Sequence, residues 1–328
     1  MSERQFEIVL YGASGFTGKL VAEYLAEKHT QLNWAIAGRD ERKLDGVRRE
    51  LGVPDLPIVI ADSGDADQLS AMARQTRTLI STVGPYAQFG TPVIEACATE
   101  GTHYCDLTGE AQWMAQVYER INPIAQASGA RLIHSCGFDS VPSDLSVCFL
   151  QQRFKERFGH YATHVAGRMG EAAGGVSGGT VASLMYVAEQ ASKDPAIREL
   201  VMDPYALYPA SIQRGLDVPD QSGISWDDHF ESWTGPFVMA AINTKVVRRS
   251  HALAGLRTWL MVCVGVSGWL LADWWASACV CRRRDLSRGA ARGLRAQPGR
   301  QERLVLHGAA LGDDPRDGPA AAGARGVL

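Results

Sequence analysis

The chain has 328 residues, 46% of them hydrophobic and 21% charged, which is room for two domains and too apolar for wholesale disorder. A net charge of -3 argues against a dedicated nucleic-acid binder. That average hides an asymmetry. Residues 1–245 carry 20 Lys and Arg against 30 acids, whereas 246–328 carry 13 Arg, no Lys and 6 acids. Seven cysteines at irregular spacing show no metal-ligand pattern before residue 263, and Cys279 and Cys281 have no histidine nearby. The plain reading is a reduced, cytoplasmic chain with no metal. The segment 1–7 has no apolar run of the signal-peptide kind, in line with that expectation.

Taken in order, residues 6–11 are a short apolar strand, and a helix follows from Gly18 with Leu20, Val21, Tyr24 and Leu25 on one face. Strands are predicted at 33–37, 56–61, 78–83, 103–106 and 131–135. Helices between them are predicted at 40–51, 66–74, 91–100, with Pro92 in its first turn, and 111–127. Strands alternating with helices of this length make βαβ units and a parallel sheet, and right-handed crossovers put every strand's C-terminal end on one edge. Ligands belong at that edge. After Ser143 the rhythm changes. A helix is expected at 144–158, a strand at 160–170, a glycine-dense loop at 174–179, a helix at 180–191, loops over 203–235 and a strand pair at 237–247. The expected fold is a Rossmann-type doubly wound parallel sheet over residues 1–140. A second, incomplete α/β substrate domain spans 141–252, and an irregular tail spans 253–328.

The strongest chemical signal is Gly12-Ala-Ser-Gly15-Phe-Thr-Gly18, placed between a strand and a helix as a dinucleotide fingerprint must be. Gly12 permits the tight turn, Gly15 lets backbone approach a pyrophosphate, and Gly18 allows close helix–strand packing. Ser14 and Thr17 offer hydroxyls beside Phe16 in the same loop. The bland alternative is an inert turn. At the end of the second strand, where NAD binders place an acid, this chain has Gly38-Arg39-Asp40, with Lys43 one turn on. Arg39 suits a 2′-phosphate, so NADP is favoured and NAD is the alternative; a solvated Arg39 beside a helix-capping Asp40 is the rival reading. Asp62, after the third strand, is a candidate for the adenine amine or an ordinary turn aspartate. Gly84 and Pro85, closing the fourth strand, join the cofactor set. Tyr86, Asp106 and Asp139 follow strands four, five and six and are the catalytic candidates. Tyr86 would donate a proton or pack on the nicotinamide. Asp106 and Asp139 would orient substrate or water, or simply cap turns. Cys136 has little support as a nucleophile, and His103 and His134 read as structural.

Tyr11 to Gly18, Ala37-Gly-Arg39, Ser81 to Tyr86, His103 to Glu110, Gly137 to Asp144 and Gly174 to Thr180 together resemble the saccharopine dehydrogenase-like oxidoreductases. The resemblance is to the branch that includes mycobacterial trans-acting enoyl reductases, and it covers roughly residues 5–252. It implies an NAD(P)-binding Rossmann domain, an α/β substrate domain and hydride transfer to a C=C or C=N bond of a small-molecule substrate, in some members a lipid-linked one. A non-catalytic nucleotide-binding or membrane-associated protein and the inactive product of a disrupted gene are the alternatives. Neither nucleic acid nor any particular oligomeric state is implied.

From His251 the resemblance stops and the composition breaks. Of the 47 residues in 282–328, 27 are Arg, Gly or Ala, the output expected from a G/C-rich gene read out of frame from near residue 255. Such a tail should not pack, and the second domain's sheet should keep an open edge. The literal alternative is a membrane anchor over 259–281, followed by Arg282 to Arg284; it is the less favoured reading.

Overall fold

The computed structural model describes residues 4–162, 164–169, 177–214, 220–228, 231–255, 262–267 and 303–308. Its first half alternates strand and helix: β1 (Phe6–Tyr11), α1 (Phe16–Lys28), β2 (Trp34–Gly38), α2 (Glu41–Glu50), β3 (Ile58–Ile60), α3 (Ala66–Gln75), β4 (Thr76–Ser81), α4 (Tyr86–Glu100), β5 (His103–Asp106), α5 (Ala111–Ser128) and β6 (Leu132–Ile133). The strands pair in parallel in the order β3-β2-β1-β4-β5-β6, the order of a doubly wound dinucleotide-binding sheet. Every residue of β2 is buried, as a central parallel strand covered on both faces requires. One face packs Leu79, Ile94, Trp113 and Met114 beneath α3, α4 and α5; the other packs Leu10, Leu25, Ile36 and Leu44 beneath α1 and α2. The crossing point between β1 and β4 therefore opens at the C-terminal edge, and the loops after β1, β2, β4, β5 and β6 meet there.

One helix begins earlier than the sequence indicates. α4 starts at Tyr86, so Pro92 lies inside the helix rather than in its first turn. Its start is set by tertiary structure, because the carboxylate of Glu110 accepts the N–H groups of Tyr86 and Ala87 at 2.8 and 2.9 Å.

The second half holds α6 (Val141–Phe158), β7 (His164–Met169), α7 (Gly178–Lys193), α8 (Pro195–Met202), β8 (Ser225–Asp227), β9 (Ser232–Pro236), α9 (Ala240–Leu253), β10 (Val262–Ser267) and β11 (Arg303–Gly308). Its sheet runs β11-β7-β10-β9-β8, parallel around β7 and antiparallel from β10 to β8. A smaller core of Val147, Leu150, Phe154, Val165 and Val247 joins α6, β7 and α9.

One expectation fails here. The strand pair expected at 237–247 is instead mostly the helix α9. Its buried positions Ala240, Asn243, Thr244, Val247, Arg248 and His251 fall at helical spacing. The helical period is hidden in the sequence because four of those six positions are polar. Each polar member finds a partner: Asn243 with Ser140, Thr244 with Asp220 and the Ala240 carbonyl, Lys245 with the carbonyls of Val201 and Ala241. β10 and β11 flank β7 on both sides, and the sheet's edge strands are β11 and β8. Val262–Ser267 has the alternating β-branched character that favours extended backbone wherever it is placed. Apart from these two strands, the expected out-of-frame tail and the 259–281 anchor lie outside the described residues. Among the described residues no helix is long and apolar enough to cross a membrane.

Candidate functional site

The turn after β1 is built around glycine. Gly12 has φ +92°, in the left-handed region, and a Cβ there would lie 2.7 Å from Val83 Cγ2. The Thr82 hydroxyl braces the turn at 3.1 Å from the Gly12 carbonyl oxygen. A Cβ on Gly18 would come within 2.1 Å of that same oxygen, so α1 packs directly on the turn. Gly15 differs. Its nearest neighbour in the Cβ direction is the Gly12 oxygen at 3.4 Å, and beyond that the space is open. Gly15 is the N-cap of α1, no side chain caps the helix, and its first turn holds no acid. First-turn N–H groups lack an i−4 carbonyl and carry the positive end of the helix dipole, so this terminus is shaped for an anion. Ser14 and Thr17 are half-buried beside it, and Phe16 is largely exposed.

At the end of β2, Arg39 is exposed and makes no ion pair among the described residues. Asp40 is the N-cap of α2, accepting from Lys43 N–H at 3.1 Å, which leaves the Lys43 side chain exposed on the first turn. Asp62 accepts from Gly64 N–H at 2.8 Å and so shapes its own turn. The Tyr11 hydroxyl is pushed up to about 12, chiefly by burial and then by the Asp62 charge, with a Ser63 hydrogen bond and Arg39 opposing. Arg39, Asp62 and the end of β1 therefore share one edge.

After β4, Gly84–Pro85 is a cis peptide leading into α4. Tyr86 is buried, its hydroxyl donates to the Ser81 carbonyl at 3.1 Å, and its ring stacks on Trp113 at 5.6 Å. Burial, and next the Asp106 charge, push its pKa well above the ordinary tyrosine value. Glu110, almost wholly buried, binds the first turn of α4 and also accepts from Ser183 Oγ of α7 at 2.8 Å. This contact joins the second half of the chain to the β4 and β5 loops.

Asp106 is the hub of the next layer. Its carboxylate accepts from Tyr104 OH at 2.9 Å, Thr108 N–H at 3.0 Å and Ser135 N–H at 3.1 Å, and meets His134 Nδ1 at 2.7 Å. Both side chains of the Asp106–His134 pair are closed off from water, and the imidazole lies edge-on to Tyr104, Trp113 and Tyr118. This network fixes the loop after β5 against the turn after β6, where Ser135 has φ +59°.

Beside it is a shallow cleft lined by residues that include Thr108, Gly109, Ser135, Gly137, Asp139 and Met239. Asp139 is exposed at its rim, and partial burial raises its carboxyl pKa above the usual range. The structure thus brings the cofactor candidates Gly12 to Gly18, Arg39, Lys43, Asp62, Gly84 and Pro85 to the C-terminal edge. Of the three catalytic candidates, Asp139 alone reaches the cleft. Sequence reasoning missed Glu110 and Ser183 as a pair. Glu110 closes the motif that begins at His103, but Ser183 carries no local signal. Among the described residues no three His, Cys, Asp or Glu side chains gather as a metal site would need.

Residues 8–133 match the family profile of the saccharopine dehydrogenase NADP binding domain. A Mycobacterium tuberculosis protein bearing the trans-acting enoyl reductase name is 43% identical over 258 residues, covering 76% of this chain and 62% of its own length. Trans-acting enoyl reductases of Mycobacterium bovis and Mycobacterium leprae are each 40% identical, covering 77% and 76% of this chain and 62% of their own. The chain therefore spans somewhat under two thirds of the length of these curated relatives.

Proposed function

We propose, for a chain whose residues 8–133 match the saccharopine dehydrogenase NADP binding domain profile, an NADPH-dependent reductase that delivers hydride to a C=C or C=N bond of a small-molecule or lipid-linked substrate. The observation that carries this reading is the uncapped start of α1 behind the open face of Gly15. That cradle fits a pyrophosphate on size and on charge. Arg39, exposed and without an ion pair among the described residues, would take the 2′-phosphate with Lys43 beside it, and Ser14 and Thr17 would add hydroxyl contacts to the phosphates. Asp62 is assigned to its turn, with its second carboxylate oxygen left for the adenine side. Gly84 and Pro85 would border the nicotinamide. Bound NADPH supplies the hydride.

The protein's part is to position and to protonate. Tyr86 and Asp106 are read as positioning residues, because both are buried and satisfied within the protein. Asp139 is the residue that would touch substrate. A carboxyl whose pKa partial burial raises above its ordinary range, at the rim of a cleft, is placed to give a proton. The working division is a cofactor domain to about residue 140 and a substrate domain from 141 to about 252, joined by the Glu110–Ser183 bond.

Gly15→Val tests the cradle. The branched side chain fits the folded protein but fills the phosphate space, so NADPH fluorescence enhancement should vanish while the thermal melt stays within a few degrees of the parent. Normal binding by this variant would reduce the fingerprint to a turn. Asp139→Asn, assayed with enoyl thioesters, should retain NADPH binding and lose turnover; full turnover would remove Asp139 from the chemistry.

A further inference from the structure

We propose that Cys105 and Cys136 are a redox modification site, closing to a disulfide on oxidation and reopening with a dithiol reductant. Cys105 lies in β5, and its registered neighbour in β6 is Ile133. Beyond β6 the chain reverses at Ser135, and the Cys136 N–H donates to the Asp106 carbonyl at 2.7 Å. The Cys136 sulfur folds back to 3.5 Å from the Ile133 carbonyl oxygen and 3.8 Å from that of His134. The two thiols share a hydrogen bond, and the Cys136 N–H bond to the end of β5 keeps the turn beside Cys105, so the two sulfurs lie within reach of each other. The Asp106 carboxylate, bonded to Ser135 and His134, holds this turn in place.

The two thiols are unequal. Cys136 is exposed, and a hydrogen bond from Cys105 holds its thiol below the ordinary value. Cys105 is half-buried, and the same bond, then burial, raises it. Cys136 is thus the attacking sulfur and Cys105 the resolving one. With hydrogen peroxide as oxidant, the Cys136 thiolate takes one oxygen and the O–O bond breaks. One water leaves, and Cys136 becomes a sulfenic acid. Cys105 sulfur then attacks Cys136 sulfur, its proton leaves with the sulfenic oxygen as a second water, and the S–S bond forms. Two electrons pass from the thiols to the peroxide. Reversal starts at Cys136, the sulfur an external thiolate can reach. Cys97 is buried, with its thiol pushed up by burial, and Cys148 is exposed on α6. The bond would tie β5 to the turn carrying Ser135, Gly137 and Asp139, so the oxidation state acts on the cleft.

The test is peptide mapping of the full chain after treatment with a small excess of hydrogen peroxide, without reduction. Trypsin with a glutamate-specific protease separates Cys97, in 96–100, from Cys105, in 101–110. The Cys136 peptide also contains Cys148, so Cys148→Ser is run in parallel. The expected product joins 101–110 to the Cys136 peptide with loss of two hydrogens. It persists in Cys148→Ser, is absent in Cys136→Ser and disappears with dithiothreitol. Over-oxidation of Cys136 without a cross-link would overturn the proposal, as would its pairing with Cys263, Cys279 or Cys281. Mapping requires no cofactor, so failure to bind NADPH would count against the function proposed above and not against this pair.

Discussion

The two halves of the molecule keep their polar groups in different places. In the sheet of β1 to β6 the interior between the helices is mostly apolar, with Leu10, Ile36, Leu79 and Ile94 wholly buried, and buried polar groups such as Asp106, Glu110 and Ser135 gather where β5 and β6 end. The groups suited to ligands are pushed to one edge. Around α9 the interior itself is polar: Asn243, Thr244, Lys245, Arg248 and His251 are all buried. The comparison teaches that stability in the first half is mainly area removed from water, whereas in the second it depends on hydrogen bonds that must all be made at once. A site set on the first kind of framework tolerates substitutions at its edge. A polar core tolerates few.

The largest effect that separates the halves should come from acid. His251 has its pKa lowered to about 4 by burial, against the ordinary histidine value of 6.5. Between these values the unfolded chain binds a proton that the folded chain refuses, so stability falls as pH drops from about 6.5 toward 4. The whole shift is worth on the order of 3 kcal/mol. Thermal melts across this window should show the decline, and His251→Leu should flatten it. A decline unchanged in His251→Leu would place the acid sensitivity elsewhere.

A smaller effect is expected at Asn243. Its carboxamide oxygen accepts from Ser140 Oγ at 3.0 Å, tying α9 to the start of α6. Asn243→Ala leaves a buried hydroxyl and a gap, at about 1–3 kcal/mol. The measurement is urea unfolding, read beside NADPH binding. Stability should fall with cofactor affinity nearly unchanged, since the bond lies outside the cradle. A matching loss of affinity would show that the halves are energetically one unit.

What was legible follows the same division. All six strands of the first sheet and all five of its helices are visible in the sequence, because parallel strands are continuous apolar runs and their helices carry one apolar stripe. The start of α4 was not, since a residue 24 positions away, Glu110, caps it. The fingerprint and the Arg39 position were legible because glycine and charge at a strand end have local causes. The burial of Tyr86 and Asp106 was not, because it depends on Trp113, His134 and Ser135, which only folding brings to them. In the second half, α9 was misread because a polar stripe hides its helical period. Ser183 was invisible because its meaning is wholly its partner Glu110.

The most direct test of the central claim is a paired titration of NADPH and NADH against the parent chain and Arg39→Ala. A charge-assisted phosphate contact is worth about 1.5–3 kcal/mol, or roughly ten- to a hundredfold in affinity. The account predicts that the parent prefers NADPH by that factor, and that Arg39→Ala loses the preference while its NADH curve stays where it was. Equal curves for the two cofactors on the parent chain, or equal weakening of both by Arg39→Ala, would contradict it.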